Sequence, residues 1–261
     1  MNKIKQVALS AAKQAGAILL KQFNNFDRAK VQFKTAHEIV TKADLASERI
    51  IISAIKKNFP EHSILSEESG LEENQSDYLW IIDPLDGTTN FSMHNPLWSV
   101  AFALTYQKEI IFSIVYIPVL GEIFIAEKEK GAYLIKNNKK TKLKVSDFKE
   151  GKVLNAFCHG KADKDIKRAI NYYSYQKMHG FDCRQLGSAS IEMAFVSAGR
   201  IESIAIPGIS THDAVPGALL VMEAGGRVTD YQGKKWGMGD YDLIASNGLV
   251  HEGVLGVLKM V

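Results

Sequence analysis

Trp80-Ile81-Ile82-Asp83-Pro84-Leu85-Asp86-Gly87-Thr88-Thr89-Asn90-Phe91 is the most informative stretch of this chain. An aromatic and aliphatic run ends in two aspartates separated by Pro-Leu, and Gly-Thr-Thr-Asn follows. Apolar residues leading into a Pro/Gly turn read as a buried strand that stops at a loop. A strand end can hold carboxylates over solvent, but two acids this close repel one another. They need a cation between them, or one takes up a proton. The glycine and threonines offer unobstructed N–H groups and hydroxyls, suited to an anion such as phosphate. Carboxylates beside a phosphate cradle point to Mg²⁺-assisted phosphoryl chemistry. Asp-Pro and Asp-Gly are also ordinary turn formers, so the same string could simply cap a strand. The apolar run before it, and compatible acids elsewhere, favour the cation site.

Composition bounds the rest. At 261 residues the chain can bury a large core in one domain or two lobes. A hydrophobic fraction of 46% and a charged fraction of 23% are those of a soluble globular protein. A net charge of +3 gives no argument for nucleic acid, which is not expected as a partner. The Lys-rich pieces at residues 136–144 and 161–168 have acids within or close by, among them Asp147, Asp163 and Asp165, and read as solvated surface. Cys158 and Cys183 lack metal-ligand spacing and read as reduced thiols. No membrane span is expected, and residues 1–20 lack the continuous apolar core of a signal peptide, so the expected compartment is the cytoplasm.

Ile4, Val7, Ala8, Ala11, Ala15, Ile18 and Leu19 recur at helical spacing. Residues 24–40 are polar and irregular. Thr41-x-x-Asp44 resembles a capping box before Leu45, Ile51, Ile52, Ile55 and Phe59, with Pro60 beyond the end of that second helix. Residues 62–65 read as a strand running into Ser66-Glu67-Glu68-Ser69-Gly70, and residues 71–77 as an acidic loop. From Trp98 to Lys144, β-rich runs broken by Gln107-Lys108, Pro118, Gly121, Gly131 and Asn137-Asn138 predict an antiparallel meander. The second half alternates: strands at 153–158, 181–186, 201–206 and 242–246, and helices at 163–177, 189–198, 214–224 and 249–259. Ser188 caps the second of these helices, Asp213 opens the third, and Pro216 falls in its first turn. The pattern predicts two lobes, 1–145 and 146–261, joined near residues 141–152.

Candidate acids outside the central stretch are Asp44, Glu67, Glu68 and Asp213. Glu67 and Glu68 follow a predicted strand as Asp83 and Asp86 do. If those strands are neighbours, all four carboxylates meet at one sheet edge. Asp213 suits a helix N-cap and a metal site equally, and the two roles are compatible. There is no G-x-S-x-G elbow, no histidine cluster of zinc type, no Walker A string and no dinucleotide fingerprint. Water activated by hard cations is the mechanism these residues leave.

At this point the motifs resemble a known family. Residues 83–91 resemble the first signature of the inositol monophosphatase family, and residues 212–226, from His212-Asp213-Ala214 to Glu223-Ala224-Gly225-Gly226, resemble the second. Ser66-Glu67-Glu68-Ser69 and Val40-Thr41-Lys42-Ala43-Asp44 are similar to its Glu-Glu and Thr-x-x-Asp elements, in the family's order and across nearly the whole chain. The resemblance implies a layered α/β/α/β/α phosphatase fold, usually dimeric, with an antiparallel-sheet lobe followed by an α/β lobe. It implies hydrolysis of small phosphomonoesters with two or three Mg²⁺ ions and inhibition by Li⁺. Glu67, Asp83 and the Leu85 carbonyl would hold one ion. Asp83, Asp86 and Asp213 would hold another. Gly87 and Thr88 amides would bind phosphate, while Thr88, oriented by Asp44, would prepare the attacking water on the Glu67 side. Lys34 matches the family's lysine near the site, at slightly different spacing.

Departures bear on substrate. Family members acting on inositol phosphates place a glutamate shortly before the second signature, where this chain has Ile206, and the usual aromatic before the metal aspartate is His212. Gly187-Ser188-Ala189 matches the family's substrate-contacting turn. Ile206 offers an apolar wall instead of a polyol acceptor. Inositol-1-phosphate leads as the implied substrate. Fructose-1,6-bisphosphate, histidinol phosphate, a 3′-phosphoadenosine nucleotide and NADP are the alternatives. A protein- or RNA-binding partner with vestigial catalysis is the reading from another class. The complete set of Asp44, Glu67, Asp83, Asp86, Thr88 and Asp213 speaks against it.

Overall fold

The computed structural model describes residues 1–25, 32–35, 38–40, 42–149 and 153–261, with backbone only for 32–35 and 38–40. Helices α1 (Asn2–Asn24) and α2 (Lys42–Asn58) frame a two-stranded ribbon, β1 (Gln32–Thr35) and β2 (Glu38–Val40). Residues 24–40, read as irregular, thus contain a short strand pair. The capping threonine, Thr41, and the side chain of Lys34 lie outside the described residues.

An eight-stranded sheet follows, built from β3 (Ser63–Ser66), β4 (Gly70–Glu72), β5 (Tyr78–Asp86), β6 (Ser99–Tyr106), β7 (Glu109–Ile117), β8 (Glu122–Glu127), β9 (Gly131–Lys136) and β10 (Lys139–Lys142). Its order is β10-β9-β8-β7-β6-β5-β3-β4, so the predicted meander is present. The turns Gln107-Lys108 and Asn137-Asn138 both place two residues at positive φ, as two-residue hairpin turns require. Two edge strands were not anticipated. β4 occupies part of the predicted acidic loop, and β10 is wholly exposed and lysine-rich, a composition that discourages edge pairing. The short helix α3 (Thr88–Ser92) follows β5 directly.

The second sheet holds β11 (Leu154–Phe157), β12 (Asp182–Arg184), β13 (Ser203–Ile206), β14 (Arg227–Thr229) and β15 (Leu243–Ser246) in the order β12-β11-β13-β15-β14. Helices α4 (Asp163–Met178), α5 (Ala189–Ser197), α6 (Thr211–Glu223) and α7 (His251–Met260) alternate with these strands. Strand alternation sorts the core into three layers. Trp80, Ile82, Val100, Phe102 and Leu104 face α1 and α2. Ile81, Ala101, Ala103 and Val115 face the other way, onto α5 and α6, which also pack on Ile204 and Ala245 of the second sheet. Ala205 and Ile244 point outward to α4 and α7. The molecule is therefore layered α/β/α/β/α, the arrangement the resemblance implies. No helix among the described residues is long and apolar enough to cross a membrane.

Two details of α6 differ from the sequence reading. Its N-cap is Ser210, whose hydroxyl accepts the Asp213 N–H, so Asp213 is the third helical residue. Pro216 lies inside the helix, past the first turn. The missing Pro216 N–H removes the bond it would make to the carbonyl four residues earlier.

Candidate active site

The site begins with the parallel pairing of β3 and β5. Ser66 stands opposite Ile82, and the Glu67 N–H donates to the Ile82 carbonyl at 3.1 Å, so Glu67 and Asp83 stand side by side where β3 ends. Beyond Asp83 the strand continues where a loop was expected. Asp83 pairs with Ala101 and Asp86 with Ser99, so β5 holds one residue more than β6 between those points, which is a β-bulge. Residues three apart on a regular strand face opposite sides. The extra residue cancels that change of face and turns both aspartates the same way. Pro84 suits the bulge because it needs no N–H partner. The Asp83 Oδ1 accepts the Leu85 N–H at 3.1 Å, and Ser47 Oγ donates to the Pro84 carbonyl at 2.7 Å.

Asp213 arrives on the first turn of α6, the helix layer between the two sheets. Ser210 Oγ donates to its Oδ2 at 2.6 Å. Asp83, Asp86 and Asp213 each present one oxygen within 4.8 Å of the others. Asp83 is 1% exposed and Asp86 8%, so their charges are poorly screened. Burial, then Glu67, Asp86, Asp213 and Asp44 in turn, hold the Asp83 carboxyl well above the ordinary carboxylate range. Burial and then Asp213 push Asp86 up to about 7, against hydrogen bonds from Ser188 and Ser190 that favour its anion. Buried acids that raise one another's pKa require protons or a cation, and a set of oxygen donors suits a hard one such as Mg²⁺.

Asp44, buried on α2, and Glu67 contribute charge to this cluster. Glu68 is half-buried just beyond the end of β3. Leu85 is buried in the core. Gly87, at φ 87°, caps α3, and Thr88 is the first residue of that helix. Ser188 Oγ donates to Asp86 Oδ2 at 2.7 Å, and the Ser190 N–H donates to the same oxygen at 2.8 Å. Ala189 opens α5 beside them. His212 Nε2 lies 3.8 Å from Glu67 Oε1. Ile206 is 1% exposed and belongs to the core between the sheets. It therefore forms no open apolar wall.

Cys158 is near the acids, but burial, then Glu192 and Asp213, raise its thiol, which leaves it a poor nucleophile. Sequence reading missed the Ser190 amide. A main-chain donor carries no residue signature. Ser210-x-x-Asp213 was legible as a capping pattern.

A five-layer α/β protein with carboxylates gathered at strand and helix ends has the architecture of a metal-assisted phosphatase. The inositol monophosphatase family model matches residues 1–260, and the chain belongs to that family. Over 260 residues it is 33% identical to the Nus factor SuhB of Escherichia coli K12, covering 99% of this chain and 97% of that protein. Among solved structures, a Thermotoga maritima IMPase superposes with a TM-score of 0.89 at 30% identity, covering 100% of this chain and 98% of the other. The extragenic suppressor protein suhB of Bartonella henselae gives 0.90 at 29% identity, covering 98% of each chain. The name Nus factor, borne by such relatives, leaves the expectation of no nucleic-acid partner without support.

Proposed function

We propose that this protein is a Mg²⁺-dependent phosphomonoesterase acting on inositol-1-phosphate or a related small polyol phosphate, as a cytoplasmic homodimer. The observation that carries the reading is the buried Asp83, Asp86 and Asp213 set with Glu67 and Asp44 close enough to raise the Asp83 pKa. Glu67, Asp83 and the Leu85 carbonyl would hold one ion, and Asp83, Asp86 and Asp213 a second. Bound Mg²⁺ supplies Lewis acidity and offsets the charge of the phosphoryl group. Gly87 and Thr88 amides at the start of α3 would receive phosphate oxygens. Thr88 Oγ1, giving its own proton to the Asp44 carboxylate that orients it, would take the proton of the attacking water on the Glu67 side. Ser188 and Ala189 would contact the alcohol portion. His212, beside Glu67, would border it. Ile206, sealed in the core, supplies no polyol acceptor, which favours a broader substrate range than inositol alone.

A second reading rests on the Nus factor name of the E. coli relative. In it the chain serves a transcription complex as a partner with vestigial catalysis. Phosphate release from a panel of phosphomonoesters, with Mg²⁺ and with EDTA, separates the two. Metal-dependent release led by a polyol phosphate supports the enzyme. No release from any compound shifts the weight to the partner role.

A further inference from the structure

Asp86 is held by one turn of the opposite lobe, residues 186–190, through Ser188 Oγ and the Ser190 N–H. That turn is itself gripped from two sides. Asn90 Nδ2, on α3, donates to the Leu186 carbonyl at 2.7 Å and to the Leu97 carbonyl at 2.7 Å, while its Oδ1 accepts from Asn95 at 3.1 Å. From α5 the Glu192 carboxylate, wholly buried, accepts the Leu186 N–H at 2.6 Å and also the Gly187 N–H. Two glycines make the approach possible. A Cβ on Gly187, at φ 81°, would stand 3.1 Å from Asn90 Nδ2, and one on Gly87 would stand 2.9 Å from the Leu97 carbonyl and 3.3 Å from Ser188 Cβ. Asn90 spends both amide protons on carbonyls from different segments, and each acceptor would otherwise need another partner.

We infer that Asn90 is a positioning residue for the cation site: with Glu192 it fixes the 186–190 turn against α3 and thereby orients the Asp86 carboxylate. The inference rests on the Mg²⁺ reading above. None of these Asn90 side-chain hydrogen bonds goes to the acids. Asn90 acts through Leu186, Ser188 and Asp86, as outer partners commonly orient metal ligands. The alternative is that Asn90 only stabilises the local turn to Asn95.

Asn90→Asp separates these roles. It keeps the acceptor for Asn95 and the shape, but sets a carboxylate oxygen against the Leu97 and Leu186 carbonyls. Mg²⁺ binding is measured by calorimetry without substrate, beside the melting temperature of the metal-free protein. Asn90→Asp and Asn90→Ala are both expected to weaken Mg²⁺ binding about tenfold or more, in the range typical of such outer partners. The same rise is expected in the Mg²⁺ concentration for half-maximal phosphate release. Wild-type binding by Asn90→Asp overturns the inference. A double variant of Asn90→Ala and Ser188→Ala guards against a folding defect. Its loss should be smaller than the sum of the two single losses, because Asn90 acts on Asp86 through the turn that carries Ser188 Oγ and the Ser190 N–H. Additive losses would contradict that route. A wild-type protein that binds no Mg²⁺ refutes the phosphatase reading and this inference together, an outcome distinct from weakened variants of a binding wild type.

Discussion

Asp86 reaches the site with one oxygen already engaged by Ser188 and Ser190, and with a pKa pushed up to about 7 by burial and by Asp213. A carboxyl whose pKa is higher folded than unfolded keeps its proton longer in the native state. Between the ordinary value of 3.8 and about 7 the native protein binds more protons, so metal-free stability falls as pH rises. A cation competes for the same oxygens and gains as the protons leave. Mg²⁺ is therefore expected to raise the melting temperature more at about pH 8 than at about pH 5.5. Equal increments at both, measured by scanning calorimetry, would contradict this account of the cluster. At this scale the sequence was legible where residue type sets chemistry, as at Asp83, Asp86 and Asp213. It was silent where a main-chain donor such as Ser190 N–H does the work.

Among elements, β5 shows why a residue pattern can name a site and misjudge its backbone. Asp-Pro and Asp-Gly are turn formers, yet the β6 ladder carries the strand through them to Asp86. Only the partner strand reveals the bulge, because a bulge is a mismatch between two strands. The short edge strands β4, β10 and β14 were missed for a related reason: three or four residues carry too little periodicity to register. Ile206, at the end of β13, was placed correctly in the strand, but its exposure depended on the layer packed against it. Since that layer buries it, Ile206→Glu is expected to cost about 3 kcal/mol or more of stability, from a carboxyl forced into an apolar core. Urea denaturation measures this. Unchanged stability with a lowered KM for inositol-1-phosphate would show instead that position 206 reaches substrate.

For the whole molecule, the order of helix pair, meander and alternating α/β was readable from periodicity alone, and it corresponds to the layers seen. What periodicity could not supply is that α5 and α6 are shared between the two sheets. The largest core cluster takes Ile81 and Val115 from one side and Ile204 and Ala245 from the other. Arg200 reinforces that contact by a two-pronged pair with Glu122, which is 5% exposed. The division into lobes at residues 145 and 146 is a proposal about folding units, and this core spans it. The shared layer also carries the functional consequence. Asp213 sits on α6 and Asp86 on β5, so the acidic cluster exists only when the layers are assembled. The most direct measurement compares Mg²⁺-dependent phosphate release from inositol-1-phosphate and other small phosphomonoesters by the wild type and by Asp83→Asn. The account predicts metal-dependent release by the wild type. It predicts a loss of at least about a thousandfold in Asp83→Asn, roughly 4 kcal/mol of transition-state stabilisation, with the metal-free fold no less stable because one acid buried among other acids has gone. Near-normal release by a folded Asp83→Asn protein would contradict it.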